Sequence, residues 1–233
     1  MDEAPHAPSF ATLPRVIPAP ARLAGAALLA SALLVPATAS AATLQLNRQC
    51  YTKNQPVAIR GSGFPPASTQ YLFLNGARTR SGVVTASGAL SVPGGGAPDP
   101  PRSRTAARTY TLTASGSTSG SPVTARTTFR VVHTNITVTP ALVTPGFVTY
   151  RALGFTYGRT LYLHYLRGTR YLRTRRIGAL SGPCGTLRKK VRMFLFRPVK
   201  PAAYVLVFDN SARYSASYRP NFSFQALVPY TFT

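Results

Sequence analysis

The chain repeats itself. Val57-Ala58-Ile59-Arg60-Gly61-Ser62-Gly63-Phe64 lines up with Val148-Thr149-Tyr150-Arg151-Ala152-Leu153-Gly154-Phe155, 91 residues further on. A short polar turn follows each copy, then an apolar run, Tyr71-Leu72-Phe73-Leu74 and Tyr162-Leu163-His164-Tyr165. Each run ends near a glycine, Gly76 and Gly168. Later, Thr109-Tyr110-Thr111-Leu112 matches Ala203-Tyr204-Val205-Leu206 at an offset of 94. A period of this length predicts two successive units of about ninety residues, each the size of one β-sandwich.

The local pattern is that of strands. Short runs rich in β-branched and aromatic residues alternate with Gly, Pro, Ser and Asn clusters. The predicted strands are Val57–Arg60, Gln70–Leu74, Tyr110–Ala114, Thr127–Val132, Val148–Ala152, Leu161–Leu166, Tyr171–Ile177, Val191–Phe196, Tyr204–Phe208 and Phe222–Val228. Pro93–Arg108 and Ser115–Pro122 read as loops. The fold class is all-β: two tandem immunoglobulin-like β-sandwich domains, 42–134 and 135–233, meeting near His133-Thr134-Asn135. The repeated Gly-Phe predicts a bend where glycine takes a backbone conformation other residues resist. The following Phe then turns into the core between the sheets. The repeated Tyr110 and Tyr204 fit either a tyrosine corner, with the hydroxyl reaching back to backbone, or a plain core ring.

The first 41 residues read as a secretory signal. Arg15 and Arg22 supply positive charge, Leu23–Val35 is an uncharged apolar run, and Ala39-Ser40-Ala41 is a small-x-small cleavage site. Cleavage after Ala41 leaves Ala42–Thr233 as a secreted chain at the cell envelope. The alternative is an uncleaved anchor over Leu23–Ala42, whose second half is weakly apolar.

A resemblance supports this reading. Gln55-Pro56-Val57-Ala58-Ile59-Arg60-Gly61-Ser62-Gly63-Phe64-Pro65-Pro66-Ala67-Ser68 resembles the opening of immunoglobulin-like repeats of the IPT/TIG kind, found in secreted actinobacterial proteins. Leu161–Tyr165, Gly182-Pro183-Cys184-Gly185-Thr186-Leu187 and Phe208-Asp209-Asn210 resemble the partner domain in exported proteins of those bacteria. The likeness covers most of Cys50 to Val228. It implies fold and compartment, and it transfers no site residue.

Charge is the strong chemical signal. The chain holds 27 Lys plus Arg against 4 Asp plus Glu. So few acids exclude chemistry run on paired carboxylates and leave no carboxylate shell for Ca²⁺. Two cysteines and three histidines exclude a Cys/His zinc module. No cofactor is expected. A Ser-His-Asp arrangement could be drawn from His164 and Asp209, but no nucleophile-elbow pattern accompanies them. His164 is expected on one face of a strand, and Asp209 in a turn with Asn210. The expectation is a non-enzyme, with an unrecognised secreted hydrolase as an alternative.

The bases cluster in the second unit. Arg167, Arg170, Arg173, Arg175 and Arg176 surround one predicted hairpin, and Arg188, Lys189, Lys190, Arg192 and Arg197 follow. Arg173 and Arg175 share a strand face, and Arg176 points the other way. Such a surface attracts polyanions, here anionic wall polymers or lipid head groups. Nucleic acid is the alternative partner, less suited to an exported chain. The Arg-over-Lys bias of 23 to 4 is also what a GC-rich genome produces, so a solvated face without a ligand stays open. Tyr162, Tyr165 and Tyr171 suit either stacking on a ligand or core packing. Finally, two cysteines in an exported chain predict one bond, Cys50–Cys184, joining the two domains. A buried Cys50 thiol is the other reading. Cys50 is expected in the first strand, and Cys184 in an accessible Gly182–Gly185 turn.

Overall fold

The computed structural model describes residues 41–118, 121–140, 146–196, 198–218 and 221–228. The signal-like segment up to Ser40, and Arg197, lie outside the described residues. The first half contributes β1 (Thr43–Leu46), β2 (Cys50–Thr52), β3 (Pro56–Ser62), β4 (Thr69–Leu74), β5 (Ala77–Val83), β6 (Leu90–Gly96), β7 (Ala107–Thr118) and β8 (Ser121–Val132). The second contributes β9 (Asn135–Thr139), β10 (Phe147–Leu153), β11 (Thr160–Arg167), β12 (Arg170–Ala179), β13 (Leu187–Arg192), β14 (Ala202–Asp209) and β15 (Phe222–Val228).

Each half folds as two sheets around its own core. In the first, the sheet β1-β3-β6 faces the sheet β2-β8-β7-β4-β5. Val57, Ile59 and Val92 from one sheet meet Leu72, Leu112 and Phe129 from the other. In the second, β9-β10-β13 faces β12-β11-β14-β15. There Val148, Tyr150 and Val191 meet Leu163, Tyr165 and Leu206. With β2 set aside, both halves have one order: first, second and fifth strands in one sheet, and the hairpin of the third and fourth strands (β4–β5, β11–β12) with the last two strands in the other. That is the immunoglobulin strand order. The extra β2 of the first half pairs parallel with β8.

The repeated Gly-Phe does what its chemistry predicts. Gly63 and Gly154 have φ of 75° and 85°, where a side chain is strained. Phe64 and Phe155 follow them into the two cores. The repeated tyrosines combine both expectations: each ring is buried, Tyr110 Oη donates to the Asp99 carbonyl at 2.7 Å, and Tyr204 Oη donates to the Lys200 carbonyl at 2.8 Å.

Four expectations are corrected. The strand expected at Val191–Phe196 is β13, ending at Arg192. The apolar residues after it leave the sheet, and Phe194 and Phe196 pack around Tyr165 and Tyr204. The loop expected from Pro93 begins later, because β6 runs through Gly96. β6 is a sheet edge, where proline costs no ladder bond. The Ser115–Pro122 loop is the end of a long β7–β8 hairpin, with Ser115 opposite Thr124 and Ser117 opposite Pro122. Cys50 lies in the second strand rather than the first.

Candidate functional site

The alternation of β13 sorts its charges. Val191 is buried and Leu187 packs on the core, so Arg188, Lys190 and Arg192 point outward. On β10, Val148, Tyr150 and Ala152 are buried, which turns Phe147, Thr149 and Arg151 to the same outer face. The register sets Arg151 opposite Arg188, Thr149 opposite Lys190 and Phe147 opposite Arg192. Phe147 is 56% exposed. The Arg192 guanidinium lies 5.3 Å from its ring centre and the Lys190 ammonium 6.0 Å, a cation–π arrangement. The outer face therefore carries four cations, and two of them, Arg151 and Arg188, are like charges in directly opposed positions.

The other basic residues divide. Arg173 and Arg175 stand opposite Tyr165 and Leu163, on the side of β12 that faces the second sheet. Arg175 Nη1 donates to the Arg192 carbonyl at 2.7 Å, stitching edge strand β12 to edge strand β13. Arg176 stands opposite Tyr162 on the outer face of the four-stranded sheet. Arg167 and Arg170 pair at the hairpin end, and Lys189 is exposed on the Tyr150 side of β13. Of the three tyrosines, Tyr165 is fully buried, Tyr162 is half-buried, and Tyr171 stacks on Tyr214 with centroids 5.8 Å apart. Arg151 is the residue sequence reasoning left out of the cluster. Its signal was the β10–β13 pairing, which depends on placing β13 at Leu187–Arg192.

Among the described residues, no acidic side chain answers these cations. Asp99 pairs with Lys53 at 2.7 Å, and that contact holds its carboxyl below the usual range. Asp209 is buried beside His164. Those two are the acids of residues 41–233.

His164 and Asp209 form a second polar cluster. β11 and β14 are antiparallel neighbours, with Tyr162 opposite Asp209 and His164 opposite Val207, so His164 and Asp209 are diagonal on one face. His164 Nε2 and Asp209 Oδ1 are 3.0 Å apart, and His164 Nδ1 is 2.6 Å from Thr174 Oγ1. The Ser211 amide donates to Asp209 Oδ1 at 2.7 Å, the turn expected of Asp209. Tyr214 covers the imidazole, with ring centres 5.5 Å apart, and both His164 and Asp209 are fully buried. Carboxylate, imidazole and hydroxyl are aligned as in a hydrolytic relay. However, Thr174 sits inside β12 between the two register shifts of its pairing with β11, and its hydroxyl is shared between His164 and the Tyr171 hydroxyl, 2.9 Å away.

The two halves are joined at Cys50 and Cys184, which form a disulfide with Cα atoms 5.1 Å apart. The turn carrying Cys184 is accessible at Gly182 and Pro183, as expected, while Cys184 itself is buried and packs with Cys50, Val132 and Leu153. Beside the bond, the Gly154 amide donates to the Cys184 carbonyl at 2.9 Å, Thr156 Oγ1 donates to Gln55 Oε1 at 3.0 Å, and Arg48 donates to the Thr156 carbonyl.

Strand order and the two-sheet cores thus define an all-β chain of immunoglobulin-like sandwiches. No protein-family model matches the sequence, and no curated protein matches it. Among solved structures, it is similar to a tetra-tandem repeat from the extending region of a large adhesion protein, at 15% identity and a TM-score of 0.32, over 79% of this chain and 47% of that one. It is also similar to the human OSCAR ligand-binding domain, at 14% identity and a TM-score of 0.34, over 80% of this chain and 97% of that one. A third is the N-terminal eight immunoglobulin domains of Down Syndrome Cell Adhesion Molecule, at 10% identity and a TM-score of 0.29, over 82% of this chain and 27% of that one. The chain spans about half the length of the first of these.

Proposed function

We propose that the chain is an exported, non-catalytic immunoglobulin-like binding protein of the cell envelope, attaching to anionic surface polymers through the basic surface of its second sandwich. The observation that carries this reading is the grouping of Arg151, Arg188, Lys190 and Arg192 on one sheet face while both acids are engaged elsewhere. Uncompensated charge of one sign attracts polyanions by Coulomb attraction and counterion release. The disulfide suits an oxidising compartment. On the Gln55–Ser68 motif, the first domain is of the IPT/TIG kind, as in secreted actinobacterial proteins. The domain boundary falls at His133-Thr134, between the end of β8 and the start of β9. Retention on purified cell walls tests the reading against nucleic-acid binding. Binding to walls that salt reverses, at salt where immobilised DNA no longer holds the chain, is expected. Free passage over walls, or tighter retention on DNA, would overturn it.

The Asp209–His164–Thr174 alignment supports a second reading, a secreted hydrolase. A hydrolysis screen over ester, glycoside and peptide substrates, with His164→Ala as the control, decides it. Wild-type turnover that is lost in His164→Ala, under conditions where circular dichroism shows the variant still folded, establishes the hydrolase.

A further inference from the structure

We infer that the outer face of the β9-β10-β13 sheet is a docking track for a linear phosphodiester polymer without bases, of the polyol-phosphate type, running along β13. This rests on the envelope-binding reading above and names its ligand class and residues. Arg188, Lys190 and Arg192 alternate along one strand face, so their stems are about 6.8 Å apart, two residues of rise each. A row of cations at regular spacing matches a chain with one anion per short repeat better than a compact anion, which would need its donors to converge.

Arg151 widens the track at one end, directly across from Arg188. Opposed like charges destabilise a free sheet. A phosphate seated between the two guanidiniums relieves that repulsion and takes up their forked donors. Beside the cations, Thr137 stands opposite Arg151 and Thr139 opposite Thr149. Their hydroxyls, on the outward positions of β9 and β10, can donate to and accept from the hydroxyls of a polyol repeat.

The aromatic content of this face disfavours nucleic acid. Single-strand binding stacks successive bases on several aromatic side chains. Among the described residues this face presents one ring, Phe147, flanked by Lys190 and Arg192. The track offers charge and hydroxyls rather than a row of stacking rings.

The test titrates the full chain with poly(glycerol phosphate), polyglutamate and single-stranded DNA over a salt series. The variant Arg188→Gln/Lys190→Gln/Arg192→Gln is compared with a charge-matched one in the first half, Arg60→Gln/Arg102→Gln/Arg104→Gln. Loss of three phosphate contacts should make the slope of log K against log salt shallower by about 2, with binding at low salt roughly tenfold or more weaker. The charge-matched variant should keep the wild-type slope. A thermal melt at or above wild type is expected for the β13 variant, since it removes opposed like charges. Arg151→Gln alone, which leaves β13 intact, should also weaken binding. If both triple variants lose affinity equally, the track is refuted and only diffuse charge remains. If polyglutamate or DNA binds as tightly as the polyol phosphate, the ligand class is refuted. If wild type holds cell walls but no variant on this face weakens that hold, this inference fails while the envelope reading stands. If wild type binds no wall, both fail.

Discussion

The imidazole of His164 is held from both sides, by Thr174 Oγ1 and by Asp209 Oδ1, inside a site closed to water. Removing one partner of such a buried pair leaves the other's polarity unmet, at a cost of about 3–5 kcal/mol. His164→Ala should therefore lower stability by that amount, read as the midpoint shift in urea denaturation. A loss below about 1 kcal/mol would show that the pair contributes no more than a surface contact. The buried tyrosines predict the alkaline limit. Burial pushes the Tyr165 hydroxyl up to about 12, against the pull of the nearby Arg175 guanidinium. Burial raises Tyr150 in the same direction. The folded chain holds these protons after the unfolded chain has lost them, near pH 10. Their contribution is complete below pH 10 and is lost as pH rises from 10 towards 12. Tyrosinate absorbance, clean in a chain without Trp, should rise together with loss of circular dichroism over that interval. Full ionisation near pH 10 with the fold intact would contradict the burial account.

At the scale of elements, the legible parts were those where sequence and core agree. Runs such as Val148–Ala152 and Tyr204–Phe208 alternate apolar side chains into a core, and the structure keeps them as strands. The repeat also located the two bends. Gly154 has φ of 85°, and a Cβ there would meet the His133 carbonyl and the Thr134 backbone. Gly154→Ala should cost at least about 1–2 kcal/mol from the backbone alone, with the collision added, as measured by thermal or urea unfolding. An unchanged melt would show that the bend relaxes freely. The candidate site was less legible. Leu187-Arg188-Lys189-Lys190-Val191-Arg192 reads as a charged run because only one face of β13 touches apolar side chains, at Leu187 and Val191. With the strand expected at Val191–Phe196, Arg151 has no partner and stands outside the cluster. The sequence sets His164 on a strand face and Asp209 in a turn, and both local settings hold. Their contact is a product of the β11–β14 register, which local patterns do not contain.

For the molecule as a whole, the Cys50–Cys184 bond closes a span of 134 residues and joins the two cores. Constraining so long a loop in the unfolded chain is worth at most about 4–5 kcal/mol in the chain-entropy account. Cys184→Ser should lower stability by up to that amount, and non-reducing peptide mapping of wild type should yield one Cys50–Cys184 linked peptide. Two freely alkylated thiols would contradict the junction. At the same scale, the proposed envelope binding is a matter of location: polyanions meet the chain on one sheet face rather than over its whole basic surface. Amide chemical-shift mapping during titration with poly(glycerol phosphate) tests it most directly. Docking on one sheet face should give the largest shifts at Phe147–Arg151 and Arg188–Arg192, saturating together. Shifts of equal size spread over exposed arginines of both halves, or confined to the first, would contradict it.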